Sequence, residues 1–361
     1  MQKKTLAIAL ATLFALPVAA HADVVIYGFM AGSVESAKAS GGDKPVASTT
    51  RVNSDNARIG FKGNEDLGNG LKAVWQVENS LDRYDVGGTD GTRTNTWAQR
   101  NSFVGLSDAT LGTVLLGQYD SAYKRLTDTG QDLMVNTTAG NQGASQIFSR
   151  GEARYKNSIS YTTPSWAGLV LGASVQADET DTGSNDRWSL AAQYTLEGLK
   201  LGLGYDQQKN SHTDITKSNS FQTKSALETS TFTKLSASYK IADTLLIGGY
   251  EWARGDAKVG DDLKQNDWTI GVQQNIGKGS VRLSYGALDK LKGAADGDDY
   301  KASQWILGGT YNLSKMTQAY AYATKINNNA KQKASFQNNP LTGLNAGSDP
   351  QAIGTGIRVN F

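Results

Sequence analysis

Charge is the main chemistry this sequence offers. It holds 36 Lys+Arg, 34 Asp+Glu, two His and no Cys. Without cysteine there is no thiol nucleophile, no disulfide frame and no thiolate for zinc or an iron–sulfur cluster. His21 lies near the N-terminus, so His212, in a polar 209–229 segment, is the one imidazole in the body of the chain. Acid–base or nucleophilic catalysis needs a histidine beside a serine or carboxylates. An isolated histidine among Ser and Thr reads as solvated surface. There is no metal-ligand cluster and no phosphate-cradling glycine motif. The sequence therefore predicts no enzyme, no metal and no cofactor. Near-balanced charge also argues against a nucleic-acid partner, which needs a basic excess. What remains is a set of basic side chains spaced to share one face of alternating segments: Arg58, Lys62, Lys72, Arg100, Arg154, Lys156, Lys200, Lys234, Lys240, Arg282 and Arg358. Only Glu78, Asp206 and Glu251 oppose them on that face. Such a wall selects ions where a pore narrows.

The elements that must hold this wall are strands. Leu199, Leu201, Leu203 and Tyr205 alternate with Lys200, Gly202, Gly204 and Asp206. Leu235, Ala237 and Tyr239 alternate with Lys234, Ser236 and Ser238 in the same way. A period of two gives one apolar and one polar face. Sixteen such segments run from 24–36 to 351–361, most of them 9–12 residues long, the length of a tilted membrane-crossing strand. Short turns such as Glu65 to Gly70 and Glu197-Gly198 alternate with long polar connections at 37–51, 81–95, 120–154, 209–229, 289–301 and 327–350. That order predicts an all-β, 16-stranded antiparallel transmembrane β-barrel whose chain ends share the short-turn side. A soluble sandwich array would instead show regular short spacing. Pro45, Pro340 and Pro350 are placed in long loops and Pro164 in a short turn, clear of every ladder. The segment Ala352 to Phe361 ends on an aromatic and reads as the closing strand, since a barrel in lipid must pair its last strand with its first.

Residues 1–22 read as a signal peptide. Lys3 and Lys4 precede the apolar run Leu6 to Leu16, and Ala20-His21-Ala22 is a small-x-small cleavage site. The barrel then occupies 23–361 as a single domain. Removing Lys3 and Lys4 leaves 34 basic residues against 34 acidic ones, so the exported chain is neutral overall. A basic lumen would then require acids in the loops and turns.

The run Ala57-Arg58-Ile59-Gly60-Phe61-Lys62-Gly63, followed by Glu65-Asp66-Leu67-Gly68-Asn69-Gly70-Leu71-Lys72-Ala73, resembles a strand–turn–strand unit of the Gram-negative general porins, with the β-proteobacterial, neisserial-type group nearest. Ile26-Tyr27-Gly28, Arg100 to Leu106, Asn157 to Tyr161 and Phe361 extend the likeness along the chain. Ala31 departs from it, standing where an acidic residue is common, and the third loop lacks the usual acidic-aromatic-glycine run. The resemblance implies a homotrimeric outer-membrane channel of a Gram-negative bacterium, passing ions and small hydrophilic solutes passively. It implies outer-membrane lipid, lipopolysaccharide and the barrel-insertion machinery as partners, with Phe361 in the assembly signal. It places Arg58, Arg100 and Arg154 on a basic ladder at the constriction, and Lys62, on the Arg58 strand, is expected there with them. It implies that the 120–154 loop folds inward, so that Asp120, Asp128, Asp132 and Glu152 face the basic wall. The field between them would favour small anionic or polar solutes. A substrate-specific channel or a barrel adhesin is the alternative.

Overall fold

The computed structural model describes residues 24–81, 97–142, 147–177, 186–209, 227–257 and 260–361. The leader at 1–22 and His212 lie outside the described residues, as do the connections at 82–96 and 210–226. Strand-forming alternation produces β1 Val25–Gly41, β2 Val46–Ser54, β3 Arg58–Gly68, β4 Leu71–Ser80, β5 Ser102–Asp108, β6 Gly112–Asp120, β7 Arg154–Thr162, β8 Leu169–Gln176 and β9 Arg187–Leu196. It continues with β10 Leu199–Lys209, β11 Leu227–Ile241, β12 Thr244–Ala257, β13 Leu263–Ile276, β14 Gly279–Leu288, β15 Ala302–Asn312, β16 Thr317–Asn328 and β17 Ser348–Asn360.

β2 and β3 both pair with β1, through Gly32↔Ser54 and Phe29↔Arg58 respectively. They are two halves of one stave, interrupted at Asp55-Asn56-Ala57, where Asn56 takes a left-handed φ of 55°. The seventeen strands therefore make sixteen antiparallel staves, as the alternation predicts. β1 and β17 close the ring over thirteen registered pairs, Phe29↔Asn360 to Gly41↔Ser348. The seam runs to the last residue: Gly28 N donates to Phe361 O at 3.0 Å and Phe361 N to Gly28 O at 3.1 Å.

The apolar parity faces outward. Val34, Leu116, Ile159, Leu203, Leu235, Ile270, Leu307 and Ile353 are all exposed, forming the belt that lipid covers. Short turns use the residues they require. Gly68 and Gly70, both at φ 86°, flank Asn69 at 54°, and the Asp108 carboxylate accepts from Thr110 N and Leu111 N at 2.7 and 2.9 Å.

Three expectations change. The 37–51 segment is mostly ladder, because β1 and β2 carry their pairing up to a turn at 42–45. Pro350 lies inside β17, not in a loop. It sits beyond Gln351, the last β17 residue registered with β16, so one of its edges has no ladder bond to lose. The connection between β16 and β17 folds back into the mouth. Ala334, Phe336, Leu341 and Leu344 pack with Ala37, Leu288, Ile326 and Ile147, making a small apolar core above the lumen.

Candidate functional site

The 120–154 connection enters the barrel directly after β6. Ser121 caps helix α1, Ala122–Leu126, its Oγ accepting from Lys124 N at 3.2 Å. The helix lays Ala122, Tyr123 and Leu126 against the inner wall, and Ala122 N donates to Ser174 Oγ at 3.0 Å. The loop then follows the inner faces of β8 to β15. Ser236 Oγ donates to Thr127 O at 2.7 Å, Arg282 Nη1 to Leu133 O at 2.6 Å and Asn141 Nδ2 to Thr269 Oγ1 at 3.1 Å. Strand glycines make the seat. A Cβ at Gly172 would fall 2.8 Å from Leu126 Cδ1, one at Gly249 2.3 Å from Phe148 Cζ, and one at Gly308 2.4 Å from Met134 Sδ. Wall side chains there would force the loop into the channel.

The returning limb is pinned by a buried polar network. Arg150 is fully buried. Its Nε meets Asp267 Oδ2 at 3.0 Å and its Nη1 donates to Gln265 Oε1 at 2.7 Å. Glu251 Oε1 accepts from Arg150 N at 2.8 Å, Glu251 also accepts from Tyr123 OH, and Asp267 Oδ1 accepts from Ser149 N at 3.0 Å. Lys234 Nζ pairs with Glu152 Oε1 at 2.9 Å, and Tyr155 OH donates to Asp206 Oδ2 at 2.5 Å. Charges desolvated this deeply persist only when their hydrogen-bonding capacity is met.

The remaining wall carries the arginines. Arg100 Nε meets Glu78 Oε1 at 2.6 Å, and Arg154 Nε meets Asp120 Oδ1 at 3.0 Å. Arg58 has no carboxylate partner among the described residues; its Nη2 donates to Asn136 Oδ1, at the tip of the inward loop, at 2.8 Å. Arg100, Arg358 and Arg154 lie near enough to Arg58 to repel it, and Glu78 near enough to attract it. Both Arg58 and Arg358 stack on Phe29, at 4.9 and 3.7 Å from the ring centroid. The ring face offers the cations attraction without neutralising them. Arg282 and Arg358 also form no ion pair among the described residues. Arg58, Arg100 and Arg154 thus come together, with Arg358 and Arg282 beyond them. Lys62 does not join them. It pairs with Val25, the first residue of β1, about 13 Å along the stave from Arg58 at ~3.3 Å per residue, and is exposed near the short-turn mouth.

The loop acids do not oppose this wall as a set. Asp120 sits among the arginines, held by Arg154, by Lys124 at 3.3 Å and by Asn101 Nδ2 at 3.0 Å. Asp128 is exposed, accepting from Gly130 N at 2.9 Å. Asp132 turns into the loop and accepts from Met134 N and Asn141 N, each at 3.1 Å. Burial pushes its carboxyl up to about 7, so at neutral pH it is only a partial negative charge. Glu152 is spent on Lys234, Ser149 Oγ and Gln142 Nε2. The expectation that all four acids face the basic wall is corrected for Asp128, which is exposed, and Asp132, which serves the loop's own amides; Asp120 and Glu152 do meet wall bases, Arg154 and Lys234. The ratio of eleven inward bases to three acids is corrected on both sides: Arg187, buried, and Arg51, paired with Glu35, also face inward. Glu35, Asp55 and Asp267 are also buried inside; parity with Val34 and Trp268 exposes the first and third, while Asp55 hides in the break between β2 and β3. Asp206, Glu251 and Asp267 lie at 0% exposure on strands the loop follows, so they do not meet a passing ion.

Comparison with known proteins follows the same lines. A family model described as Gram-negative porin matches residues 6–331. Major outer membrane protein P.IB of Neisseria meningitidis serogroup B is 36% identical over 209 residues, which are 57% of this chain and 55% of that protein. The match thus spans about half the length of the curated relatives. Among solved structures, an anion-selective porin from Comamonas acidovorans superposes with a TM-score of 0.73 at 27% identity, covering 94% of this chain and all of that one. The trimer form of OmpT from Vibrio cholerae shares the fold, with a TM-score of 0.65 at 16% identity, covering 94% and 99%.

Replacing Arg150 by Met removes the buried cation paired with Asp267. Breaking a buried pair from one side costs about 3–5 kcal/mol. The variant should lose heat resistance in a folded-barrel gel assay, and its single-channel current should become larger and noisier as the loop leaves its seat. Wild-type current and heat resistance together would show that the network does not hold the loop.

Proposed function

The chain belongs to the Gram-negative porin family, and on that premise we propose that it forms a water-filled outer-membrane channel through which ions and small hydrophilic solutes diffuse passively, with anions preferred. One observation carries the preference. Arg58, Arg100 and Arg154 line the wall the inward loop leaves open, Arg58 with no carboxylate ion pair among the described residues, while Asp206, Glu251 and Asp267 are buried along the loop's path. The lumen potential depends on which charges an ion meets, not on the neutral total. Selectivity toward anions in the Comamonas relative supports the reading. Family membership points to a channel rather than an enzyme.

The triple variant Arg58→Glu/Arg100→Glu/Arg154→Glu tests the assignment. Under a salt gradient in a planar bilayer, its zero-current potential should have the opposite sign to wild type. An unchanged sign would move the selective narrowing to Arg282 and Arg358, away from the proposed ladder.

We also propose that three copies associate. The outer face of β1, β16 and β17 is lined by small residues, among them Gly32, Ala321, Ala323 and Thr355, and holds shallow recesses of about 520 and 480 Å³. Such a surface lets another barrel approach closely. Light scattering in mild detergent should give the mass of three chains; a monomer mass would refute it.

Phe361 is proposed as part of the assembly signal. Its backbone completes the seam and its ring is exposed on the lipid face. Deleting it should lower outer-membrane abundance while the surviving channels keep normal conductance. Normal abundance with altered conductance would reverse the assignment.

A further inference from the structure

The tip of the inward loop is a tight turn, Met134 to Thr137, closed by Thr137 N donating to Met134 O at 3.2 Å. Asn136 takes the third position of that turn with a left-handed φ of 71°. Asn and Asp both tolerate this conformation, so the backbone does not choose between them. The β16–β17 connection holds the turn down. Asn338 Nδ2 donates to Thr137 O at 3.2 Å, and Asn339 Nδ2 to Thr138 Oγ1 at 3.3 Å. The Asn136 side chain meets the wall, where its Oδ1 accepts from Arg58 Nη2 at 2.8 Å and from Asn56 Nδ2 at 2.7 Å. Two donors on one oxygen fix which end of the carboxamide faces the wall. Its Nδ2 donates to nothing among the described residues.

The wall cations around this turn are held by neutral oxygens. Arg282 Nη1 donates to Leu133 O at 2.6 Å and its Nε to Ser280 Oγ at 3.1 Å, while Arg358 Nε donates to Asn360 Oδ1 at 2.9 Å. The one carboxylate that attracts Arg58, Glu78, is itself ion-paired with Arg100. Asn56 continues the uncharged chain, its Oδ1 accepting from Arg100 Nη1 at 3.4 Å. Asn136 and Asn56 thus join the loop tip to two of the ladder arginines through carboxamides alone.

We propose that Asn136 is a specificity-determining residue of the channel: its uncharged carboxamide seats the loop tip on Arg58 without cancelling the arginine's charge, so the tip adds no negative charge at the narrowing. The proposal rests on the anion-preferring reading above. A carboxylate in the same place would accept from the same two donors at the same backbone conformation. It would also set a full negative charge within hydrogen-bond distance of Arg58, making a charge-assisted pair of a neutral contact. The two Nδ2 hydrogens, available to an anion, would be lost as well.

The test compares wild type, Asn136→Asp and Asn136→Ala in a planar bilayer under a potassium chloride gradient, each first checked as a heat-resistant barrel. Asn136→Asp should lower the chloride-over-potassium permeability ratio on the order of threefold at about 0.1 M salt, and the difference should shrink toward about 1 M. Asn136→Ala loses the bond to Arg58 but adds no charge, and should stay close to the wild-type ratio. If Asn136→Asp yields no heat-resistant barrel, Asn136→Glu supplies the charge and should move the ratio the same way. A ratio that the carboxylate leaves unchanged would overturn the proposal. An equal fall in Asn136→Ala would overturn it too, since the side chain would then act only as a prop for the loop. Either result leaves the anion preference of the wild-type channel standing. A wild-type channel that prefers potassium would instead overturn that reading, and this proposal with it.

Discussion

A backbone amide or carbonyl facing hydrocarbon cannot be left unpaired, because no water is there to replace its partner. The rest of this structure depends on that constraint. It turns alternating segments, neutral on average in hydropathy, into a closed ring, and it makes the β1–β17 seam the place where the ring succeeds or fails. The seam meets the requirement to its last residue, with the paired bonds between Gly28 and Phe361. Closure in turn puts every polar parity residue inside, so the lumen inherits charge as a by-product of the sheet's geometry.

The same rule governs the inward loop. Among its described residues only Ala122–Leu126 is helical, so most of its amides need partners from elsewhere. Asp267, Glu251 and Asp132 accept from Ser149, Arg150, Met134 and Asn141. Carboxylates used this way are lost to the solvated path. Among the described residues, Arg58, Arg282 and Arg358 have no such duty toward a carboxylate, and they stand beside the channel. Selectivity in this account arises from how negative charge is spent in holding a loop, more than from how much positive charge the chain carries.

Much of this was legible in the sequence because a period of two assigns a side to each residue. Parity placed Arg58, Arg282, Glu78, Asp206 and Glu251 correctly inside, and the alternation of turns and loops predicted the stave count. Parity says nothing about depth, so Lys62 shared a strand with Arg58 without sharing its level. Polarity alone also misread 37–51 as loop, because a hairpin that projects above the membrane has no apolar face to show. The role of Asp132 depends on which backbone groups a folded loop leaves unpaired, and no spacing encodes that. The inward fold of the β16–β17 connection was carried by Phe336, Leu341 and Leu344, three apolar residues scattered without period in a polar segment.

The central claim is that the open wall, and not the loop, sets the charge an ion meets. The zero-current potential of the wild-type channel in a planar bilayer at neutral pH, under a steep potassium chloride gradient, tests it most directly. The account predicts a potential displaced toward the chloride equilibrium value at low salt, shrinking as salt rises and the Debye length falls from about 10 Å to about 3 Å. A potential displaced toward the potassium value would mean that acids line the narrow path, and would contradict the account.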